Sequence, residues 1–490
     1  MRKVIDLQME FWKKDIADIE FDIQSRDEIP KLLMGLQYIY STRPLRKEVF
    51  NILRQIVPKK DHEKGRPGMD LWKILVLGTL RLNCNWDYDK AHEIANNHTK
   101  VREMLGHSKT DFDSIYALQT IRDNIALLTP QILDEINQVV VKAGHKLVSK
   151  KKDTQLKCSC DSFVVETDVH YPTDINLLFD AMRKTIFLIA IICSEIGITV
   201  WRQSHHNILT IKRLMRAIQK LKRSTSKDKA KKEAREDLIV MKHQNFIAVC
   251  QHFVSKAKET IRLLRELGLV SATQELRLRT IEEYIRHAER QIDQIYRRVV
   301  LNEKIPHAEK VFSIFEPHTD WISKGKAGVP QELGLMVCVL KDQFGFILHH
   351  LVMQHQTDDK VAVAMVKGAK DRFEKIIGCS FDKGFHSPDN QTDLANMLGY
   401  VILPKKGRLS AKDKQIEQTE EYKAYRRKHS AVESSINALE NHGLDRCRDH
   451  GEHGFKRYVA LSVLARNIQI LGHLLQQKEL NRQMRHKAAA

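Results

Sequence analysis

The spacing of apolar residues near the start of the chain predicts helices joined by short turns. The first apolar stripe at helical spacing comprises Leu32, Leu33, Leu36, Ile39 and Tyr40. After a Gly- and Pro-containing break at residues 65–68, Asp70 can cap a helix over residues 71–82. Shorter helices are predicted at residues 87–95 and 100–105. Three short helices on tight connections fit either a helix-turn-helix-like DNA-binding unit or a plain helical bundle.

A strand pattern appears at residues 156–170 and returns after residue 330. Apolar segments at residues 334–340 and 346–352 flank the turn at residues 342–345, which predicts a β-hairpin. A basic, polar linker is predicted at residues 405–421. The elements between the hairpin and the linker are helix, strand, helix and strand, at residues 361–373, 375–382, 389–398 and 400–403. Two helices, at residues 431–440 and 455–475, follow the linker.

The long section between the first strand and the hairpin is predicted to be helical. If residues 177–304 are set aside, the remaining order is strand, hairpin, helix, strand, helix, strand, linker and helix. This order is the ribonuclease-H-like arrangement. We therefore predict an α/β ribonuclease-H-like catalytic core with a large α-helical insertion, plus an all-α N-terminal domain. The expected divisions are 1–150 for the helical N-terminal DNA-binding domain, 151–176 and 305–450 for the core, 177–304 for the insertion, and 451–490 for a C-terminal helix and basic tail.

Charge favours a polyanionic partner. The chain has 490 residues, 42% of them hydrophobic and 29% charged, with a formal net charge of +19. Binding to phosphates releases counterions, which makes nucleic acid the natural partner of such a chain. Lys and Arg are densest at residues 210–235, on a helix whose apolar positions can pack. This basic face is interpreted either as a solvated surface or as a contact to a DNA backbone.

Other compositional features exclude several classes of protein. The eight cysteines have no regular spacing, which argues against a disulfide framework. Ligands for a zinc site are too few near Cys158 and Cys160. The start of the chain lacks a signal-type apolar region, and the longest apolar run, residues 186–193, is far short of a bilayer span of about 20 residues. We expect a cytoplasmic protein with no membrane association.

Three acids fall where a phosphoryl-transfer site would need them. Asp161 is expected at the end of the first strand and Asp382 at the end of the strand at residues 375–382, while Glu433 lies on a late helix beside its buried stripe. Taken singly, the two aspartates could be turn residues and Glu433 could be helix surface. Taken together, they supply hard oxygen ligands for a pair of divalent ions that leave positions open for water and phosphate.

Several segments, in order, resemble insertion-sequence transposases of the DDE type, and most closely the ISNCY group. The first-acid motif is residues 161–174, the second is 381–387, and the third is 427–433 with 443–448. The resemblance also covers residues 65–72 with 96–97 and 104–106, residues 177–178, and residues 315–326 with 332–334. The expected position at a strand end, together with the family pattern of an acid before small hydroxyl residues, favours Asp161 over Asp168 as the first acid.

This resemblance implies a DNA transposase that binds the terminal repeats of its element, cleaves at the ends and joins the 3′-hydroxyl to target DNA. Asp161, Asp382 and Glu433 would be both the catalytic residues and the metal ligands. The implied cofactor is Mg²⁺, for which Mn²⁺ can substitute. The implied partners are double-stranded DNA, both terminal inverted repeats and target, and further copies of the chain in a homodimer or larger assembly. The implied location is the bacterial-type nucleoid.

The sequence departs from the family pattern around the last acid. Related transposases carry a Tyr, an Arg and a Lys there, and the corresponding residues are Arg426, His429 and Glu440. The family's DNA contacts at those positions therefore do not transfer. Candidate DNA-binding residues elsewhere are Lys324, Lys326, Lys405, Lys406, Arg427, Arg446, Arg448, Lys212, Arg216 and Lys220. Two alternatives remain open: a nuclease of the same fold without strand transfer, and a non-enzymatic DNA-binding protein derived from a transposase.

Overall fold

The computed structural model consists of two compact units. It describes residues 3–5, 14–57, 68–108, 111, 113–148, 154–223, 228–323 and 331–489. The first unit, here called the core unit, comprises Met1–Asp168 and Asp320–Ala490. The second, here called the helical unit, comprises Val169–Thr319.

The core unit begins with α-helices. They are α1 (Glu28–Ser41), α2 (Arg43–Leu53), α3 (Leu71–Asn83), α4 (Tyr88–Asn97), α5 (Thr99–Met104), α6 (Leu118–Ile125) and α7 (Pro130–Val148). The helices predicted at residues 71–82, 87–95 and 100–105 are thus confirmed as α3, α4 and α5. Helix α3 is buried along its length except at Lys73. A helix enclosed in this way cannot enter a DNA groove, so α3 has the role of a central bundle helix.

The helical unit has its own hydrophobic core. Its helices are α8 (Asp174–Ile196), α9 (Ser204–Lys222), α10 (Lys229–Glu266) and α11 (Ala272–Val299). Apolar residues at helical spacing, including Ile189, Phe246 and Ile285, form one buried cluster. Arg298 near the end of α11 also pairs with Asp174 at the start of α8, at 2.6 Å. The unit includes more residues, at both ends, than the insertion expected at residues 177–304.

A mixed sheet occupies the core unit. Its strands are β1 (Leu156–Thr167), β2 (Asp320–Ile322), β3 (Glu332–Asp342), β4 (Ile347–Met353), β5 (Ile376–Phe381), β6 (Tyr400–Ile402) and β7 (Arg446–Cys447). β3 pairs antiparallel with β1, β2 and β4, while β1 pairs parallel with β5 and β7, and β5 pairs parallel with β6. The helical unit follows β1 in sequence, yet β1 and β3 pair from Cys158 to Glu166 without interruption. The strand order is consistent with the ribonuclease-H-like arrangement.

The remaining helices are α12 (Asp358–Lys370), α13 (Pro388–Met397), α14 (Ala411–Gln418), α15 (Glu420–Leu439) and α16 (Gly451–Ala489). The predicted hairpin and the alternation after it are confirmed. The linker expected at residues 405–421 is wrong in part, because residues 411–418 form α14 behind a capping box between Ser410 and Asp413. The short strands β2 and β7 were not predicted.

Residues 1–150 were expected to form a separate domain, but the helices described there pack in one unit with the sheet. Side chains of α1, α3, α7, α15 and α16 share one hydrophobic cluster with a face of β1 and β3. Helices α1 and α16 cross closely because Gly35 and Gly472 have no side chains there. A Cβ on Gly472 would collide with the carbonyl of Lys31, and one on Gly35 would collide with that of Ile468. The N-terminal helices and the C-terminal helix are therefore parts of one core.

Helix α16 is long and apolar enough to cross a membrane by length and composition alone. It is the one such helix in the described part of the chain, and 72% of its most apolar window is buried within the fold. Leu461, Leu464 and Ile468 are completely or almost completely buried. This burial is that of a core helix.

Candidate active site

Asp161 and Asp382 lie side by side on neighbouring strands. β1 and β5 are parallel, and Cys160 is the register partner of Phe381. The next residue on each segment is one of the two acids, and paired strands are about 4.8 Å apart. Asp382 directly follows β5 and is exposed. Asp161 is partly buried and lies within β1, so the expectation that it ends the first strand is wrong, because pairing with β3 continues to Glu166. The structure therefore brings together two acids that are far apart in sequence.

Both acids belong to the face of the sheet that α15 covers. Because side chains alternate along a strand, Asp161 shares its face with Phe163. Phe163 packs in one hydrophobic cluster with Val432 of α15. Asp382 continues the alternation of β5 and so shares its face with Ser380, whose hydroxyl also meets α15. The helix that carries Glu433 thus lies against the same face as the two aspartates.

A buried lysine fixes α15 on either side of Glu433. Lys341, near the end of β3, donates hydrogen bonds to the carbonyl of Ala431 at 2.6 Å and to Oγ of Ser435 at 3.1 Å. Its side chain is 8% exposed, and burial lowers the pKa of its ammonium group. Since Ala431 and Ser435 flank Glu433 by two residues each, this contact sets the height of Glu433 above the sheet.

A histidine joins α15 to the strand that precedes Asp382. Nδ1 of His429 lies 3.0 Å from Oγ of Ser380, within hydrogen-bonding distance. Burial lowers the pKa of His429, and the negative charges of Asp382 and Glu433 oppose that shift. His429 is thus within electrostatic reach of both acids. It also lies one helical turn before Glu433, so both side chains belong to one face of α15.

The three acids have the chemistry of a Mg²⁺ site but not a closed arrangement. Carboxylate oxygens are the ligands that Mg²⁺ and Mn²⁺ take in proteins. One oxygen of Asp161 accepts a hydrogen bond from the backbone of Ser162 at 2.8 Å, and both Asp382 and Glu433 are exposed. In the described ranges, no group of three or more His, Cys, Asp or Glu side chains is close enough to hold a metal ion. The donor set fits the ion, and closing the site needs a shift of side chains.

Asp168, the alternative first acid, lies in a different part of the sheet. It follows the end of β1, where Glu166 pairs with Arg446 of β7. Its carboxylate is 3.8 Å from the guanidinium of Arg446. Seven residues of extended chain separate it from Asp161, which corresponds to roughly 20 Å. Of the two acids in this motif, Asp161 is the one that the register of β1 and β5 sets beside Asp382.

Several predicted DNA-binding residues of the core unit already have protein partners. Lys405 pairs with Asp413 at 2.7 Å, Arg446 with Glu166 at 3.0 Å, and Arg448 donates to Asn85 at 2.9 Å. These bonds leave the guanidinium groups of Arg446 and Arg448 at the surface, since both residues are exposed.

Lys406 and Arg427 have contacts of a different kind. Lys406 donates to the carbonyl of Gly384 at 2.7 Å, which brings its ammonium group to the turn after Asp382. Arg427 is 75% exposed at its side chain, and a carboxylate oxygen of Glu420 lies 3.9 Å from its guanidinium. Lys324 and Lys326 lie outside the described residues.

One of the three predicted DNA-binding residues of the helical unit, Lys220, lines a basic groove. Lys212, Arg216 and Lys220 all lie on α9, and Arg216 and Lys220 are exposed. A groove of about 600 Å³ between α9 and α10 has an apolar floor and cationic walls. Its lining comprises Ala217, Lys220, Leu221, Lys231, Arg235, Leu238 and Lys242. All four charged residues in that lining are basic, which suits a polyanion.

Sequence reasoning missed the residues that hold the acids in place. His429 appeared only as a departure from a family pattern, and Lys341 lies between the strand predicted at residues 334–340 and the turn at residues 342–345, where no role was predicted for it. Lys341 directly follows an apolar strand but precedes Asp342 and Gln343, so its sequence neighbours do not mark it as a core residue. No local pattern marks the contact between His429 and Ser380, because it arises only when α15 packs on the sheet.

Comparison with known families gives one match within the chain. Residues 305–468 match the family model described as "Transposase DDE domain". The matched segment contains Asp382 and Glu433, whereas Asp161 precedes it. Comparisons with curated proteins and with solved structures give no match. The family match supports a DDE-type transposase and implies a ribonuclease-H-like fold for the matched segment.

Proposed function

We propose that the protein is a DNA transposase, most like the ISNCY group, that cleaves the ends of its element and joins them to target DNA. The observation that carries this proposal is the parallel register of β1 and β5, which sets Asp161 beside Asp382 under the helix of Glu433. The match to a transposase domain over the segment with the two later acids supports it.

Asp161, Asp382 and Glu433 would hold the divalent ions. Bound Mg²⁺ would lower the pKa of the attacking water and offset charge on the leaving oxygen. The chain's own contribution is geometric: strand pairing positions the backbone at the two aspartates, and the hydrogen bonds of Lys341 and His429 attach the helix of Glu433 to the sheet. The reaction needs no covalent protein intermediate, so no Ser or Tyr is assigned as a nucleophile.

DNA contacts are proposed on two surfaces, each within one unit. Near the acids, exposed Arg427 and the ammonium group of Lys406 suit the backbone of the cleaved strand. In the helical unit, the groove between α9 and α10 suits a duplex backbone through Lys220, and Lys212 and Arg216 on the same helix would extend that contact outside the groove lining. Recognition of the end sequence is proposed for the helices before residue 150, where α4 has an exposed polar side that includes Lys90, Glu93 and Asn97.

The test uses the full-length protein and a duplex copied from the inverted repeats that bracket the coding sequence. Metal-dependent nicking at the repeat boundary, absent from a scrambled duplex of equal length, is expected for an enzyme. Joining of the nicked end to a plasmid is expected for a transposase. Nicking without joining would make the protein a nuclease of the same fold. Sequence-specific binding without nicking would make it a DNA-binding protein derived from a transposase.

A further inference from the structure

One carboxylate contacts both chain segments that carry the candidate aspartates. Asp358 is the first residue of α12, and its Oδ1 accepts a hydrogen bond from Oγ of Ser162 at 2.6 Å. Ser162 directly follows Asp161. The other oxygen of Asp358 faces Gly384, where an added Cβ would lie 2.8 Å from it. Gly384 is two residues after Asp382.

The contact leaves little room for a side chain at residue 384. Gly384 does not have a positive φ, so its backbone conformation is open to other residues. A side chain at this position would meet the carboxylate of Asp358 closer than real Cβ atoms approach. Turning that carboxylate away would cost its short bond to Ser162, and hydrogen bonds to ionised acceptors are about twice as strong as neutral ones.

Asp358 acts from the side of the sheet opposite the candidate acids. Ser162 alternates with Asp161 along β1, so their side chains belong to opposite faces. The face of Ser162 is the one covered by α12, whose Val361 and Met365 pack in one cluster with Cys160. Asp358 is therefore placed to brace the backbone under Asp161 and Asp382 rather than to join them as a metal ligand.

We propose that Asp358 is a positioning residue: together with Ser162 and Gly384, it fixes the spacing between Asp161 and Asp382 and so sets the affinity of the site for a divalent ion. The part of this inference that concerns metal rests on the proposed function. The bracing contact itself rests on geometry alone. Partners that orient metal ligands are typically worth about 10–100-fold in metal affinity.

The neighbouring acid supplies a matched control. Asp359 has the same charge in the same first turn of α12 and so makes the same kind of contribution to the helix dipole. Its carboxylate accepts from Oγ1 of Thr357 at 2.6 Å rather than from Ser162. A change that acts only through helix capping or local charge should be equal in Asp358→Ala and Asp359→Ala.

The experiment measures Mn²⁺ binding to the full-length protein by calorimetry, alongside nicking of the repeat duplex. Asp358→Ala should weaken Mn²⁺ binding by about tenfold or more, while Asp359→Ala should stay within about twofold of the wild type. Asp358→Asn keeps an acceptor for Ser162, so its Mn²⁺ affinity should lie between those of Asp358→Ala and Asp359→Ala. Nicking by Asp358→Ala should recover partly at raised Mn²⁺, since positioning is lost but the ligands remain.

A double-mutant cycle tests the contact separately from the chemistry. Gly384→Ala should lower the thermal midpoint and weaken Mn²⁺ binding in the wild-type background. In the Asp358→Ala background, Gly384→Ala should have a much smaller effect on the thermal midpoint and on Mn²⁺ binding, because the carboxylate that the new Cβ would meet is gone. Additive effects of the two substitutions would overturn the bracing contact, and equal Mn²⁺ affinities for Asp358→Ala and Asp359→Ala would overturn the positioning role.

Failure of the proposed function gives a different pattern of results. If the wild-type protein binds Mn²⁺ in a manner that Asp382→Asn abolishes, yet does not nick DNA, the transposase proposal fails while the role of Asp358 stands. If the wild-type protein binds no Mn²⁺ through Asp382, the positioning role fails as well. In that case the stability cycle still reports whether Asp358 and Gly384 are in contact.

Discussion

At the scale of single residues, a strand end marked Asp382, whereas Asp161 lies within β1 and the residues that support the two aspartates were not predicted. Asp382 follows an apolar strand and precedes a glycine by two positions, which is a pattern visible in sequence. The hydrogen bonds of Lys341 to Ala431, His429 to Ser380 and Asp358 to Ser162 join residues 49 or more positions apart. Bonds of that kind depend on tertiary packing, so local patterns could not reveal them.

The choice between Asp161 and Asp168 is testable at this scale. Asp161→Asn should lower nicking of the repeat duplex by about 100-fold or more, because partners of metal ligands alone are worth about 10–100-fold. Asp168→Asn removes an equal charge from an exposed ion pair with Arg446 and should change nicking little. The measurement is the nicking rate of each variant at one Mg²⁺ concentration, with thermal midpoints to verify that both variants are folded. The reverse ranking would move the first acid to Asp168.

At the scale of elements, helical and strand periodicity predicted most of the core unit correctly. Helices α6 and α7 were covered only by the general expectation of a helical N-terminal domain, and the short or polar elements β2, β7 and α14 were missed. A strand of two or three residues, such as Arg446–Cys447, is too short to show alternation. Helix α14 is largely polar and is defined by its capping box rather than by an apolar stripe. Periodicity finds elements that bury a face, and these three bury little.

The attachment of α15 to the sheet gives a prediction about Lys341. Lys341→Met removes both hydrogen bonds to the residues around Glu433, and it also removes the cost of burying an ammonium group. These effects oppose each other, so the free energy of unfolding should change by only about 1 kcal/mol. Nicking should fall about tenfold because Glu433 loses its fixed height. Chemical denaturation and nicking rates, measured together, separate these outcomes.

Ser435→Ala is the control for Lys341, since it removes one of the two bonds and leaves the lysine and the Ala431 carbonyl in place. Its nicking rate should lie between those of wild type and Lys341→Met. Unchanged nicking in Lys341→Met would show that α15 is held well enough by its apolar packing.

The groove of the helical unit predicts salt-dependent DNA binding. Replacing its four cations with Gln should weaken binding to all duplexes and reduce the slope of log K against log[salt] by about 0.9 for each phosphate that the variant no longer neutralises. The four changes are at Lys220, Lys231, Arg235 and Lys242. The control replaces four arginines of α10 and α11 that lie within 4 Å of glutamates, namely Arg262, Arg265, Arg277 and Arg279. Equal slopes in the two variants would show that the groove is a solvated surface.

At the scale of the whole molecule, sequence predicted the helical interruption after β1 but not the unity of the core. Helices α1 and α16 lie near the two ends of the chain and meet through Gly35 and Gly472. Isolated glycines in helices carry no information about their partner, so the meeting of these two helices was not foreseeable. Charge, in contrast, is a sum over residues, and it pointed to a polyanion without any structure.

Buried histidines predict a loss of stability in mild acid. Burial lowers the pKa of His349 to about 3, and its Nδ1 lies 3.0 Å from the guanidinium of Arg372. In the unfolded chain the histidine titrates near pH 6.5. Below that pH the unfolded state binds a proton that the folded state does not, so stability falls as pH falls from about 6.5 toward 3. His243 in the helical unit, with its pKa lowered to about 4, adds a similar effect there.

The corresponding variant is His349→Gln, which keeps an acceptor for Arg372 and removes the titration. Between pH 7 and pH 5 the wild-type core unit should lose about 2 kcal/mol more stability than the variant, from the difference between the folded and unfolded pKa values. Urea unfolding at the two pH values measures this. An equal loss in both proteins would mean that His349 takes up its proton while folded.

The central claim is that Asp161, Asp382 and Glu433 form one metal-binding site. The most direct measurement is a crystal structure of the full-length protein with Mn²⁺, read from the anomalous signal of the metal. We predict a peak with oxygen ligands from Asp161 and Asp382 at about 2.0–2.3 Å and the side chain of Glu433 turned toward it. A peak ligated by other residues, or no peak between the two aspartates at saturating Mn²⁺, would contradict the claim.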